Sequence, residues 1–189
     1  MPLPEEKRYT YADILEWNDE KRYELYSGEL VALASPANIH QEIVADLVRQ
    51  FGNYLIGKKC KVYPAPFDVR LFEKDGDKLW DIDTLVQPDI SVVCNPRKTE
   101  GHGCKGAPDL VVEVLSPSTQ RCDRRTKFNL YQKAGVLEYW VVDPESQVVL
   151  VHTLEEEQYC TPIAYTAKAV VPVTVLDNCK IDLNTVFVP

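Results

Sequence analysis

Residues 107–119 read APDLVVEVLSPST. Leu110, Val111, Val112, Val114 and Leu115 form a continuous apolar run rich in β-branched residues, and such a run reads as a strand buried on both faces. Glu113 interrupts it. A carboxylate buried without a partner costs several kcal/mol even after relaxation. The stretch therefore predicts a central strand of a sheet, and it requires something to share the charge of Glu113.

Downstream, residues 122–134 predict a helix that stops at Gly135, a residue suited to the left-handed conformation past a helix end. At 100° per residue, Phe128, Leu130, Tyr131 and Ala134 share one arc, the inward face. Lys127 falls in the middle of that arc, where a leucine would be expected, and Asp123 lies beside it one turn earlier. Arg125, Asn129, Gln132 and Lys133 take the solvent face. Only the connection SPSTQR separates this helix from the strand, so Glu113 and Lys127 can approach each other. A buried Glu–Lys pair rarely gains stability over an apolar pair of equal volume. Charges kept in a core without that benefit point to a functional site.

A third charge, Asp89, begins another apolar strand in QPDISVV. Pro-Asp occurs twice, at 88–89 and 108–109, and geometry separates the two. Asp109 and Glu113 stand four residues apart on one strand, about 13 Å at the usual rise. Asp89 is on a different strand, and neighbouring strands lie ~4.8 Å apart. Asp89 and Glu113 can therefore share one ion, while Asp109 reads as a strand-start residue. Two carboxylates and a backbone carbonyl, assigned to Val114, suit Mg²⁺ or Mn²⁺, which keeps several waters. The cation acidifies a bound water. A nearby lysine orients that water or stabilises charge developing on a phosphate. Arg121, Arg124 and Arg125 form a basic cluster able to hold a phosphodiester backbone. The combination suits metal-assisted phosphodiester hydrolysis.

The rest of the chain supplies a mixed α/β (α+β) pattern, with a central mixed β-sheet expected. TYADILEWND predicts a short helix with Thr10 as N-cap and Asp13 in the capping-box position. RYELYSGELVALA predicts a hairpin around Ser27-Gly28. In 35–59, Ile39, Ile43, Leu47, Phe51 and Leu55 recur every four residues and predict a long helix capped by Ser35 or Asn38. Strands are expected over 62–73, 84–94 and 108–115, and a hairpin across Pro144-Glu145-Ser146. YCTPIAYT and VVPVTVL predict further short strands, available to close the sheet or to meet a second copy.

The 189 residues suit one domain spanning 1–189. No apolar run approaches the ~20 residues of a membrane span, and the first ten residues lack a signal-peptide core. The expected location is cytoplasmic, and the six cysteines are expected to be reduced packing residues. His102 and Cys104 lie close together, but no second pair has zinc-site spacing. The net charge of −8 opposes indiscriminate nucleic-acid binding through a long-range field.

Taken in order, YELYSGELV, SPANIHQEIV, QPDISVV, APDLVVEVLSPST and DRRTKFNLYQKAGVLEYWVVDP resemble the Uma-two family of bacterial restriction endonucleases, within the PD-(D/E)XK nuclease superfamily. The resemblance runs from about residue 10 to about residue 155. It implies a restriction-endonuclease-like core, a mixed sheet flanked by helices, and a metal-dependent DNA endonuclease with Asp89 and Glu113 as metal ligands. The superfamily's lysine stands two residues after the acid; here that position is Leu115. Lys127 is the expected replacement, reaching the same space from the helix. Glu24 matches an early acidic position with a role in metal or water binding, and His40 matches a histidine at the start of the long helix. Relatives of this fold often pair, so a homodimer is expected. A degenerate, purely binding member and an RNA-directed or other phosphoesterase are the competing readings. No separate DNA-recognition module is present in the sequence, so any specificity falls to loops such as 95–106.

Overall fold

The computed structural model describes residues 7–17, 21–99, 101–116 and 121–187, with only the backbone described for 121–123. The chain begins with α1 (Tyr11–Glu16), the hairpin β1 (Tyr23–Tyr26) and β2 (Glu29–Ala32), and α2 (Asn38–Leu55). Next come β3 (Lys61–Pro64), β4 (Val69–Arg70), β5 (Ile90–Val93), β6 (Cys104–Lys105) and β7 (Leu110–Val114). After α3 (Arg121–Ala134) follow β8 (Glu138–Asp143), β9 (Val148–Glu155), β10 (Gln158–Tyr159), β11 (Ile163–Thr166), β12 (Val170–Pro172) and β13 (Lys180–Asp182).

The central sheet runs β10-β9-β8-β7-β5-β3, with β11 also paired to β9. β7 and β8 are parallel, joined through α3, and their sheet neighbours run antiparallel. The sheet is therefore mixed, as expected. Leu110, Val112 and Val114 of β7 face a core shared with α2 and the C-terminal segment. Val111 faces the opposite core, shared with Tyr131 of α3 and with Tyr139 and Val141 of β8. Burial on both faces explains the unbroken apolar run around Glu113.

α2 lays Ile43, Leu47, Phe51 and Leu55 on the sheet, and Phe51 meets Trp140 at 5.7 Å between ring centres. Ile39 is instead exposed. A four-residue spacing advances 400°, so the stripe drifts off the buried face toward the helix start. Neither Ser35 nor Asn38 caps this helix: the N-cap is Ala37, without a side-chain bond. α3 ends as its sequence predicts, with Gly135 at φ +84° and the Val136 amide donating to the Tyr131 carbonyl.

Ser27 and Gly28, at φ +51° and +84°, make the two-residue turn between β1 and β2. Both positive angles match the twist that such a hairpin requires. Amide–carbonyl bonds between Leu25 and Leu85 then tie the hairpin to the segment before β5. Asp13 and Thr10 form the expected capping box.

Two further expectations need correction. The single strand over 62–73 is two, β3 and β4, broken where Pro64 and Pro66 remove amide donors; Ala65-Pro66 is cis. β4 pairs in parallel with β6, and Gly103 makes this approach possible, since a Cβ there would sit 2.1 Å from the Asp68 carbonyl oxygen. The cysteines are not all reduced: Cys60 and Cys94 form a disulfide, while Cys104, Cys160 and Cys179 are free. Lys61 pairs with Val93, so Cys60 and Cys94 face each other at the end of that ladder. Cys122 lies outside the described side chains.

The C-terminal segment closes the domain. β12 and β13 form a separate hairpin whose Val171 and Ile181 join the core on the α2 face. Glu138, fully buried on β8, anchors this segment by accepting from the Val175 amide at 3.0 Å and from Trp140 Nε1 at 2.7 Å. Among the described residues no helix is long and apolar enough to cross a membrane.

Candidate active site

Ile90 pairs with Val112, so the antiparallel register sets Asp89 opposite Glu113. Directly opposed residues have Cβ atoms about 5 Å apart and project to one face. Asp89 is fixed from two directions through Oδ2, which accepts from the Val114 amide at 2.8 Å and from His40 Nε2 at 3.1 Å. His40 is buried in the first turn of α2, and its Nδ1 has no partner. The Asp89 carbonyl accepts from the Ala65 amide at 3.0 Å, which holds the start of β5 against the break after β3.

Lys127 is buried despite its charge. Its Nζ lies 3.1 Å from Glu113 Oε1 and 3.0 Å from Glu24 Oε1. The Tyr131 hydroxyl, one turn further along α3, donates to the same Glu113 oxygen. Lys127 and Tyr131 are four residues apart and form one helix ridge. The position of the usual superfamily lysine, Leu115, is part of the apolar core against α3.

Glu24 is completely buried. Its Oε1 accepts from Lys127 and from the Gln87 amide at 2.7 Å, and its Oε2 accepts from the Tyr26 hydroxyl at 2.6 Å. Both oxygens are engaged within the protein, which suits a residue that holds Lys127 rather than one that binds a metal. Tyr26, Gln87 and Tyr131 are the partners that sequence reasoning missed. The resemblance marked the carboxylate in YELYSGELV, but not the tyrosine two residues later that orients it.

These groups meet in a cleft of about 130 Å³, whose walls include Arg22, His40, Gln87, Asp89, Glu113 and Lys127. Burial pushes the Glu113 carboxyl up to about 8. The Lys127 charge opposes this shift, and the negative charges of Asp89 and Glu24 add to it. A divalent cation would relieve both the burial and the repulsion. Among the described residues, no group of three or more His, Cys, Asp or Glu side chains converges on one ion position. The donor set is two carboxylates, whose hydrogen bonds fall on Asp89 Oδ2 and Glu113 Oε1, together with backbone oxygen. That set fits Mg²⁺ or Mn²⁺, which binds through one or two carboxylates and retains waters.

The other sequence candidates fall elsewhere. Arg121 and Asp123 stand at the start of α3, and their side chains lie outside those described. Arg124 and Arg125 are exposed and line a separate cavity beside α3. Asp109 stands directly before β7, as a strand-start residue, and it also accepts from the Cys94 amide at 2.7 Å past the end of β5. Cys104 is buried, which pushes its thiol up to about 11.

A crystal structure from Anabaena variabilis ATCC 29413, of a "putative nuclease belonging to DUF820", superposes with a TM-score of 0.73. It is 20% identical and the match covers 95% of this chain and 97% of that one, so the two share a fold. A Synechocystis protein, slr1290, of uncharacterized role, is 29% identical over 138 residues, or 72% of this chain and 68% of its own. A family model described as "Putative restriction endonuclease" matches residues 10–184. The chain belongs to that family, Uma2.

Proposed function

We propose that the chain is a metal-dependent endonuclease that hydrolyses DNA phosphodiester bonds, with Mg²⁺ or Mn²⁺ held by Asp89, Glu113 and the Val114 carbonyl. One observation carries this reading. Three charged side chains, Asp89 just before β5 and Glu113 and Lys127 at apolar positions of β7 and α3, converge on one cleft. When bound, the ion supplies a Lewis acid and lowers the pKa of a coordinated water.

The chain's own groups have separable tasks. His40 and the Val114 amide fix Asp89 in one rotamer. Glu24, itself held by Tyr26 and Gln87, keeps the Lys127 ammonium in the cleft. Lys127 stabilises negative charge on the phosphate oxygens and orients the attacking water, the task of the strand lysine that Leu115 replaces. Arg121, Arg124 and Arg125 hold the flanking backbone through charge-assisted bonds. Cutting both strands with one site per chain favours a two-fold homodimer.

The competing reading is a nuclease fold that binds without cutting. The net charge of −8 and the absent strand lysine favour it. Incubation with supercoiled plasmid and Mg²⁺ or Mn²⁺, beside an EDTA control and a single-stranded RNA substrate, separates the readings. Metal-dependent nicking of the plasmid supports the endonuclease. Cleavage confined to RNA, or folded protein that cuts nothing, overturns it.

A further inference from the structure

A second cavity, of about 320 Å³, lies beside α3 and is lined by Arg124, Arg125, Phe128, Tyr139, Val141 and His152. Lys127 and Tyr131 form the α3 ridge that meets Glu113. Arg124 and Phe128, three positions earlier and also one turn apart, form the adjoining ridge. Val141 is the cross-strand partner of Glu113, so part of this cavity's wall stands on the strand next to Glu113 and on the same sheet face.

The lining is chemically specific. Phe128 sets its edge against His152 at 5.2 Å and 77°, and His152 stacks on Tyr139 at 5.7 Å and 19°. His152 is more than nine-tenths buried. Burial and the Arg124 charge push the pKa of its imidazole down. Its ring bonds the backbone of Cys160, and Nδ1 is left buried without a partner. Two exposed guanidiniums and an aromatic wall thus border one space.

We propose that this cavity is a nucleotide subsite. It takes an unstacked base of the strand flanking the scissile phosphate, with the base against Phe128 and its phosphate on Arg124 and Arg125. Aromatic faces of this kind stack any base, and paired guanidiniums suit phosphate oxygens. The volume lies within the range of small-molecule sites. The inference rests on the nuclease reading for the identity of the strand, but its test does not depend on cleavage.

The test is calorimetric titration of dAMP, dTMP and inorganic phosphate into the full chain in EDTA. The parent is compared with Arg124→Ala/Arg125→Ala and Glu113→Gln. The expected result is that the nucleotides bind at least tenfold more tightly than phosphate. The arginine double variant is expected to weaken them about tenfold, and Glu113→Gln to leave them unchanged. Both arginines are exposed, so the double variant retains the fold. No nucleotide binding, or binding no tighter than phosphate, overturns the subsite. So does binding that survives the arginine changes but is lost in Glu113→Gln, because the nucleotide would then sit in the metal cleft. Plasmid cleavage reads the nuclease proposal separately.

Discussion

Lys127 Nζ lies 3.1 Å from Glu113 Oε1, although the residues come from a helix and a strand fourteen positions apart. Each sits at an apolar position of its element, and each makes the other tolerable. Removing one member of a buried pair leaves an uncompensated charge, at a cost of about 3–5 kcal/mol. Lys127→Met also strips the cation from Glu24, which is fully buried. Urea unfolding at pH 8 is expected to show a loss in this range, and a loss below 1 kcal/mol would show that the carboxylates do not depend on the ammonium.

The raised affinity of Glu113 for its proton makes metal-free stability pH-dependent. Its folded value, about 8, lies above the ordinary 4.5, so the folded state holds the proton more tightly than the unfolded one. The stabilising contribution is complete below pH 4.5 and is lost as pH rises through about 8. Glu113→Gln removes this dependence. In EDTA, the stability of the variant relative to the parent should therefore rise between pH 5 and pH 9. A difference that stays flat over that range would contradict the burial argument.

Tyr131→Phe removes one hydroxyl from a side chain that otherwise remains packed in the core. Its bond to Glu113 is worth roughly 1.5–3 kcal/mol if the carboxylate is charged. The variant is expected to fold, to lose stability in that range and to cut about tenfold more slowly. Unchanged cleavage by Tyr131→Phe would remove the phenol from the account.

The Cys60–Cys94 bond closes a 34-residue separation. In the chain-entropy model such a loop contributes about 3–4 kcal/mol by constraining the unfolded state. Dithiothreitol is therefore expected to lower the urea midpoint, while Cys60→Ser/Cys94→Ser should be insensitive to the reductant. Equal midpoints for oxidised and reduced parent would exclude a stabilising bridge.

The parts of this site that were legible in the sequence are those where a residue violates its own element's pattern. Glu113 interrupts an apolar strand, Lys127 interrupts an apolar helix arc, and Asp89 stands where a turn meets a strand. Periodicity exposes such conflicts directly. What stayed hidden depends on which distant segments touch. Nothing in periodicity links Gln87 to Glu24, because that contact follows from the Leu25–Leu85 bridge; Tyr26, two residues after Glu24 on the same strand face, was the partner within local reach. The Cys60–Cys94 pairing follows from the β3–β5 register in the same way. His152 reads as an ordinary histidine until the fold sets it between Tyr139 and Phe128. The overlong strand reading at 62–73 is different, since Pro64 and Pro66 carried the local signal against it.

The central claim is that Lys127 performs the chemistry of the missing strand lysine while Asp89 and Glu113 hold the metal. The direct measurement pairs Mn²⁺ calorimetry with plasmid cleavage for the parent, Glu113→Gln and Lys127→Met, each shown to be folded by circular dichroism. The account predicts that the parent binds and cuts, that Glu113→Gln loses both, and that Lys127→Met binds Mn²⁺ yet cuts at least a hundredfold more slowly. Parental cleavage by Lys127→Met, or metal binding undiminished in Glu113→Gln, would contradict it.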